Sequence, residues 1–519
     1  MQAFRRAVLA TVAGLALGTS AHAQDPAAGA KLVVHADQAG PKVNRQIFGQ
    51  FAEHLGTGIY GGVWVGKGSK IPNTDGYRND VVAALKAIKV PVIRWPGGCF
   101  ADEYRWREGV GPAAKRPVKI NTHWGGVTEP NTFGTHEFMN FSERVGAEAY
   151  VSGNVGSAPP SELAEWVEYM TSPTDSTLAK ERWANGRKQP WKLPYVGIGN
   201  ELWGCGGQMR AEYAADVTRR YATFVKAPSN QKILKIASGA NSDDYNWTEV
   251  MMREAGGAID GIGVHYYTVT GDWKHKGSAT AFDEAEWTRT LSKTLKMDEL
   301  ITKHAAIMDK YDPAKRVWLA VDEWGTWFDA TPGTNPGFLQ QQNSLRDGLV
   351  AAINFNIFTA HADRVKMANI AQMVNVLQAI ILTDGNKIVL TPTYHVFAMY
   401  LPWQDAQQIP MELKTDWFAR GDQSAPVVSA SAVRDTQGKV HIALVNLDPS
   451  RSATVSTSLA GLRATAVAGR ILTAGNITAI NTFDAPEAVA PRPFDGATLT
   501  NDGLTATLPA RSVVVLDVQ

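Results

Sequence analysis

The chain has 519 residues, too many for one ordinary core, so a large domain with a smaller companion is expected. Its 51 Lys and Arg against 50 Asp and Glu leave a net charge of +1, which gives no electrostatic reason to expect nucleic acid or an anionic membrane as partner. Two cysteines exclude a disulfide-built scaffold, while 16 Trp supply core packing and flat faces that suit sugar rings.

The chain opens on "MQAFRRAVLATVAGLALGTSAHAQD". Arg5 and Arg6 precede a short apolar stretch, and Ala21-His22-Ala23 fits a small-x-small cleavage site. Residues 1–23 therefore read as an export signal cleaved near Ala23, which places the mature protein in the periplasm or outside the cell. The apolar run is too short to span a bilayer, and no later segment is long enough. Residues 24–44 contain "KLVVHAD", expected to add a strand to the C-terminal domain.

From 45 to 401 short β-like runs alternate with amphipathic stretches. Eight runs qualify as strands: "QIFGQF", "VPVIRW", "EAYVSGN", "LPYVGIGN", "ILKIASG", "DGIGVHYY", "VWLAVDEW" and "MANIAQM". Most are apolar on both faces, as parallel strands covered by helices are. "SELAEWVEYM" has Ser161 as a candidate N-cap, and "SLRDGLVAAINFNIF" puts Leu345, Leu349, Ile353 and Ile357 on one helix face. The pattern predicts a (β/α)8 TIM barrel, whose active site lies at the C-terminal strand ends. Polar residues cluster there: Glu53 and His54, Arg94, Asn154, Asn200 and Glu201, Asn241, His265 with Tyr266 and Tyr267, Glu323, and Gln372. Chance placement would scatter them between both ends of the strands.

Residues 402–519 change texture. "VVSASAVRD", "KVHIALVNL", "ATVSTSL", "ATAVAGRIL" and "RSVVVLDVQ" predict an antiparallel β-sandwich. No internal repeat and no low-complexity tract is present.

Two glutamates each end a strand beside a Trp, Glu201 in "IGNELW" and Glu323 in "VDEWGTW". Strands four and seven face each other across a barrel mouth, so these carboxylates can converge, and paired carboxylates across a sugar-sized cleft are the equipment of glycoside hydrolysis. Arg94 can keep one ionised while Trp and a neighbouring carboxylate raise the pKa of the other. Asp322 neighbours Glu323, and strand alternation directs only one of them into the mouth, with Glu323 the longer reach. Trp203 and Trp324 flank the pair and become candidate sugar contacts. The rivals are weaker. "GGVWVGKGSK" nearly spells a phosphate loop, but Gly68 stands where Ser or Thr is needed. There is no G-x-S-x-G elbow and no paired His or Cys-x-x-Cys spacing for zinc, so neither a metal nor a cofactor is expected.

The blocks "QIFGQFAEHLGTGIYGGVW", "VIRWPGGCFADEYRWREGVGP", "NTFGTHEFMNFSERVGAEAYVSGNVG", "ANGRKQPWKLPYVGIGNELWG" and "LAVDEWGTWF" together resemble glycoside hydrolase family 51, the α-L-arabinofuranosidases of clan A. The resemblance implies a retaining double displacement, with Glu201 as acid/base and Glu323 as nucleophile. Glu53, Asn200, His265, Tyr267 and Gln372 match positions that hold or flank the furanose, Tyr266 being the alternative to Tyr267. Arg94 matches the arginine that supports the nucleophile. Cys99 stands where many members have Asn, so its backbone contact to sugar is retained in this reading and its side-chain contact is not. Family members often form trimers or hexamers, which implies a homo-oligomer.

The expected activity is release of terminal α-L-arabinofuranosyl groups from arabinan, arabinoxylan or derived oligosaccharides. The rival enzymes are a β-xylosidase or endo-β-glucanase of the same clan; a non-catalytic carbohydrate-binding protein is the rival outside enzymes. Cys99 and Cys205 both follow barrel strands on the active-site face. A bond between them requires the loops after Gly98 and Trp203 to reach inward across strand three; otherwise both are free thiols.

Overall fold

The computed structural model describes residues 28–519; the segment read as an export signal, residues 1–23, lies outside them. Eight parallel strands close into a barrel: Gly49–Phe51, Val92–Trp95, Glu148–Gly153, Tyr195–Ile198, Leu234–Asn241, Gly261–Thr268, Trp318–Thr326 and Val365–Ala371. Each of the eight overlaps its expected run: the first four lie inside it, the last four reach one or two residues beyond it, and Asn369 beside Gly49 closes the ring. Val92, Tyr150, Tyr195, Ile236, Ala320 and Met367 pack together inside it. The lumen is therefore a filled core, and chemistry is confined to the mouth.

A helix follows each strand. The one after strand three, Pro160–Thr171, starts just ahead of the expected Ser161 cap, with Pro159 as cap and Pro160 in the first turn, where a missing N–H does no harm. The helix Leu345–Ala360 differs from its sequence pattern more deeply. A one-sided apolar stripe is expected, yet every residue from Leu345 to Thr359 is buried. It lies between the barrel and the C-terminal domain, so both faces are covered.

The C-terminal domain consists of two sheets. One has six strands, with Val428–Arg434, Val440–Asn446 and Ser512–Val518 at its centre. The other has five, and the early strand Ala28–His35 lies inside it, antiparallel to Met411–Thr415 and parallel to Ala453–Ala460. Hydrogen bonds stitch this domain to the barrel. Asn356 Nδ2 donates to Ser429 Oγ at 3.0 Å, Ser431 Oγ donates to Asn356 Oδ1 at 2.6 Å, and Trp287 Nε1 donates to the Leu447 carbonyl at 2.9 Å.

Candidate active site

The fourth strand ends at Ile198, and Gly199 (φ +74°) turns the chain so that Glu201 faces the mouth. Glu201 itself has φ +42°, an uncommon conformation for a residue with a Cβ. Neighbouring loops hold it there. The Asn200 N–H donates to Asp102 Oδ2 at 2.8 Å and the Leu202 N–H to Ser238 Oγ at 3.2 Å. Asp102 also accepts from the Val155 and Gly156 N–H groups at 2.7 and 2.8 Å, tying together the loops after strands two, three and four. Burial raises its pKa to about 6 against those bonds.

The seventh strand slips register against strand six between Ala320 and Glu323 and against strand eight between Val321 and Trp324. That irregularity overturns strict alternation: Asp322 and Glu323 both face inward. Arg94 lies between them, its NH1 2.8 Å from Glu323 Oε1 and its Nε 3.8 Å from Asp322 Oδ2. The same guanidinium donates to Asn200 Oδ1 at 2.6 Å and stacks 4.6 Å over the Phe51 ring. Tyr267 OH donates to Glu323 Oε2 at 2.9 Å, so each oxygen of Glu323 accepts a bond. Tyr266 instead donates to the Lys293 carbonyl, so of the two tyrosines it is Tyr267 that contacts Glu323.

His265 joins the carboxylates. Its Nδ1 is 2.9 Å from Glu201 Oε1 and 3.4 Å from Glu323 Oε2, and its Nε2 is 3.3 Å from Asp322 Oδ1. Burial alone would strip its proton; Glu323, Asp322 and Glu201 reverse that and push its pKa up to about 10. Burial, aided by Glu323, raises the pKa of Glu201 despite the bond to His265. An oxygen of Glu201 and one of Glu323 lie within 4.8 Å of each other. The site therefore sets the Arg94 guanidinium and His265 among the carboxyl groups of Asp322, Glu323 and Glu201, and burial biases Glu201 toward keeping its proton.

Glu53 closes the opposite side. Its Oε1 accepts from the N–H groups of Gly98 and Phe100 at 3.0 and 3.1 Å and from Trp124 Nε1 at 2.9 Å; Oε2 accepts from Gln372 Nε2 at 2.9 Å. The glycines of "PGG" are required sterically: a Cβ on Gly97 would lie 2.6 Å from Glu53 Cγ, and one on Gly98 would lie 2.8 Å from Glu323 Oε1.

Glu53, Cys99, Asn200, Glu201, Tyr267, Glu323 and Gln372 line one small cavity of about 80 Å³ together with Gly98, Trp124 and Trp327. It opens beside a cleft of about 650 Å³ walled by Trp203, Asn241, Tyr266, Trp273 and Trp327. Two larger cavities, of about 730 and 750 Å³, lie near Trp64 and His136, and neither is lined by either glutamate.

Three expected strand-end residues stand apart. His54 pairs with Glu129 and accepts from Trp95 Nε1, within a buried aromatic cluster. Asn154 donates to the Tyr104 carbonyl. Trp324 is fully buried against Phe355 and Phe358, on the helix side of its strand, so it is packing and not a sugar contact. Sequence reading missed Trp124, Asp102 and Tyr150, the last donating to Asp322 Oδ2 at 2.8 Å. Trp124 carries one legible signal, a Trp-Gly-Gly in the long loop after strand two. Cys99 and Cys205 are joined as a disulfide with Cα atoms 5.5 Å apart, the loops having reached inward.

The sequence matches the family models of the α-L-arabinofuranosidase 1 domain over residues 84–286 and of the α-L-arabinofuranosidase C-terminal domain over residues 322–512. An intracellular exo-α-L-arabinofuranosidase of Bacteroides ovatus is 49% identical over 513 residues, covering 99% of each chain. The crystal structure of a GH51 arabinofuranosidase from Xanthomonas axonopodis pv. citri is 65% identical with a TM-score of 0.94, covering 95% of this chain and all of that one (100%). An α-L-arabinofuranosidase from Thermotoga maritima in an arabinose complex is 29% identical with a TM-score of 0.83, covering 94% of this chain and 99% of that one. The Bacteroides relative overturns the export reading: a protein alike almost end to end is named intracellular, which points away from a periplasmic or extracellular location. Two arginines before a short apolar run are a compositional pattern, and composition does not fix a compartment.

Proposed function

The chain belongs to glycoside hydrolase family 51, the α-L-arabinofuranosidases, and from that premise we propose that it releases terminal non-reducing α-L-arabinofuranosyl groups by a two-glutamate double displacement with retention. The observation that carries this reading is the approach of the Glu201 and Glu323 carboxylates to within 4.8 Å, at the mouth of the barrel. Facing oxygens this close fit the separation of about 5–5.5 Å between carboxyl groups in retaining enzymes better than the about 6.5–9.5 Å of inverting ones.

Glu323 attacks the anomeric carbon while Glu201 gives its proton to the leaving oxygen. Arg94 and Tyr267 hold the nucleophile by one oxygen each. When Glu201 has lost its proton, the cationic His265 at 2.9 Å stabilises the new charge until Glu201 takes a proton from water in the second step. Glu53, Asn200 and Gln372, with the backbone around Cys99, are placed to bind furanose hydroxyls.

The small cavity beside a wider aromatic cleft supports the exo reading, one ring inside and the rest of an arabinan, arabinoxylan or oligosaccharide outside. The β-xylosidase, endo-β-glucanase and non-catalytic readings are not favoured, given this family membership.

Glu323→Ala should lower turnover of every substrate by at least about 10³-fold, since no glycosyl-enzyme can form. Glu201→Ala should retain the first step on aryl glycosides with activated leaving groups and should be partly rescued by azide, which replaces activated water. Equal responses of the two variants to leaving group and azide would contradict these roles.

A further inference from the structure

Glu201 offers its two oxygens to different neighbours. Oε1 faces His265, whereas Oε2 lies 3.6 Å from Cys205 Sγ. Cys205 follows Glu201 by four residues, while Cys99 comes from a loop 106 residues before Cys205 in sequence. Both sulfur atoms and a Glu201 carboxylate oxygen lie within 4.8 Å of one another, and all three residues are half-buried, hence reachable from the cleft. In the disulfide the sulfurs are neutral and have no capacity to bind a cation strongly. Reduction changes that chemistry completely.

We propose that reduction of Cys99–Cys205 creates a site for a thiophilic divalent cation of the Zn²⁺ or Cd²⁺ type, held by the two thiolates and Glu201 Oε2. A dithiol reductant supplies two electrons and two protons; the S–S bond breaks, two thiols form, and the reductant becomes its own disulfide. The cation then displaces both thiol protons and the Glu201 proton. A tetrahedral ion with sulfur ligands at about 2.3 Å needs the sulfurs roughly 3.8 Å apart. Rotation about the Cα–Cβ bonds provides this from Cα atoms 5.5 Å apart, without moving the backbone. Three protein ligands leave the fourth position open toward the cleft, as in sites that keep a water. A thiol-reducing compartment is where such a bond opens. The metal-bound Glu201 has no proton to give, so hydrolysis stops. That consequence rests on Glu201 being the acid; binding of the ion does not.

The full-length protein, oxidised or reduced with a dithiol that is then removed anaerobically, is titrated with Cd²⁺ and followed by the ultraviolet thiolate-to-cadmium charge-transfer band. The reduced protein should show a band saturating at one ion per chain, and the oxidised protein and a reduced Cys205→Ser variant should not. In parallel, Zn²⁺ should inhibit hydrolysis by the reduced protein at a concentration at least about tenfold lower than for the oxidised protein, reversibly with a chelator. A saturating band with turnover unchanged would uphold the ion site and overturn Glu201 as the acid. Absence of the band from the reduced protein, or an equal band in the oxidised protein, would overturn the proposal whether or not the variant folds.

Discussion

Glu53 accepts four hydrogen bonds, yet its pKa is pushed up to about 7, first by burial and then by the charge on Glu323. Its carboxyl thus binds a proton more tightly in the folded chain than in the unfolded one, whose value is near 4.5. Between those values the unfolded state binds fewer protons, so stability falls as pH rises. The contribution is fully present below about 4.5 and gone above about 7, a change on the order of 3 kcal/mol. Glu53→Gln removes that titration. Thermal unfolding should therefore show the variant losing less stability than wild type between these pH limits, whatever the offset from its misplaced amide. A difference that stays flat with pH would contradict the account. The glutamate was legible from its place after the first strand, but its partners were not. Trp124 and Gln372 meet it from loops far away in sequence, and no local pattern records that meeting.

At the scale of elements, the strand ends carried most of the information. Apolar runs followed by Asn-Glu or Asp-Glu are visible in one dimension because a barrel directs every C-terminal strand end to one mouth. What alternation could not reveal was the slipped register before Trp324, which turns Asp322 and Glu323 inward together. The same limit applied to Trp324, whose place beside Glu323 in sequence says nothing about facing the helix layer. The turn after strand two is packed tightly against the site. Gly98→Ala would set a Cβ 2.8 Å from Glu323 Oε1 and 3.3 Å from Phe51 Cζ. Glu323, the proposed nucleophile, must then shift away from Arg94 and Tyr267, and kcat should fall by about 10²-fold with the fold intact. Steady-state kinetics beside circular dichroism checks this; an unchanged kcat would show that the loop tolerates a side chain.

For the whole molecule, the barrel and the C-terminal sheets meet across the helix Leu345–Ala360, buried from Leu345 to Thr359, whose stripe pattern suggests one covered face. A helix reads as amphipathic when only small or aromatic residues fill its second face, and Asn354 and Asn356 there look exposed until their partners are known. Asn356 joins Ser429, Ser431 and Tyr400. Asn356→Leu leaves those hydroxyls without their partner, so denaturant unfolding should show a loss of about 2–4 kcal/mol with turnover per folded molecule unchanged. A loss of activity without a loss of stability would place this junction in the reaction and not in the frame. In the proposed mechanism the stereochemistry follows from the short distance between Glu201 and Glu323. Proton NMR of the first sugar released from an aryl α-L-arabinofuranoside, recorded before mutarotation, reads it directly. The α-anomer is the result expected from a glycosyl-enzyme on Glu323. The β-anomer as first product would contradict the double displacement.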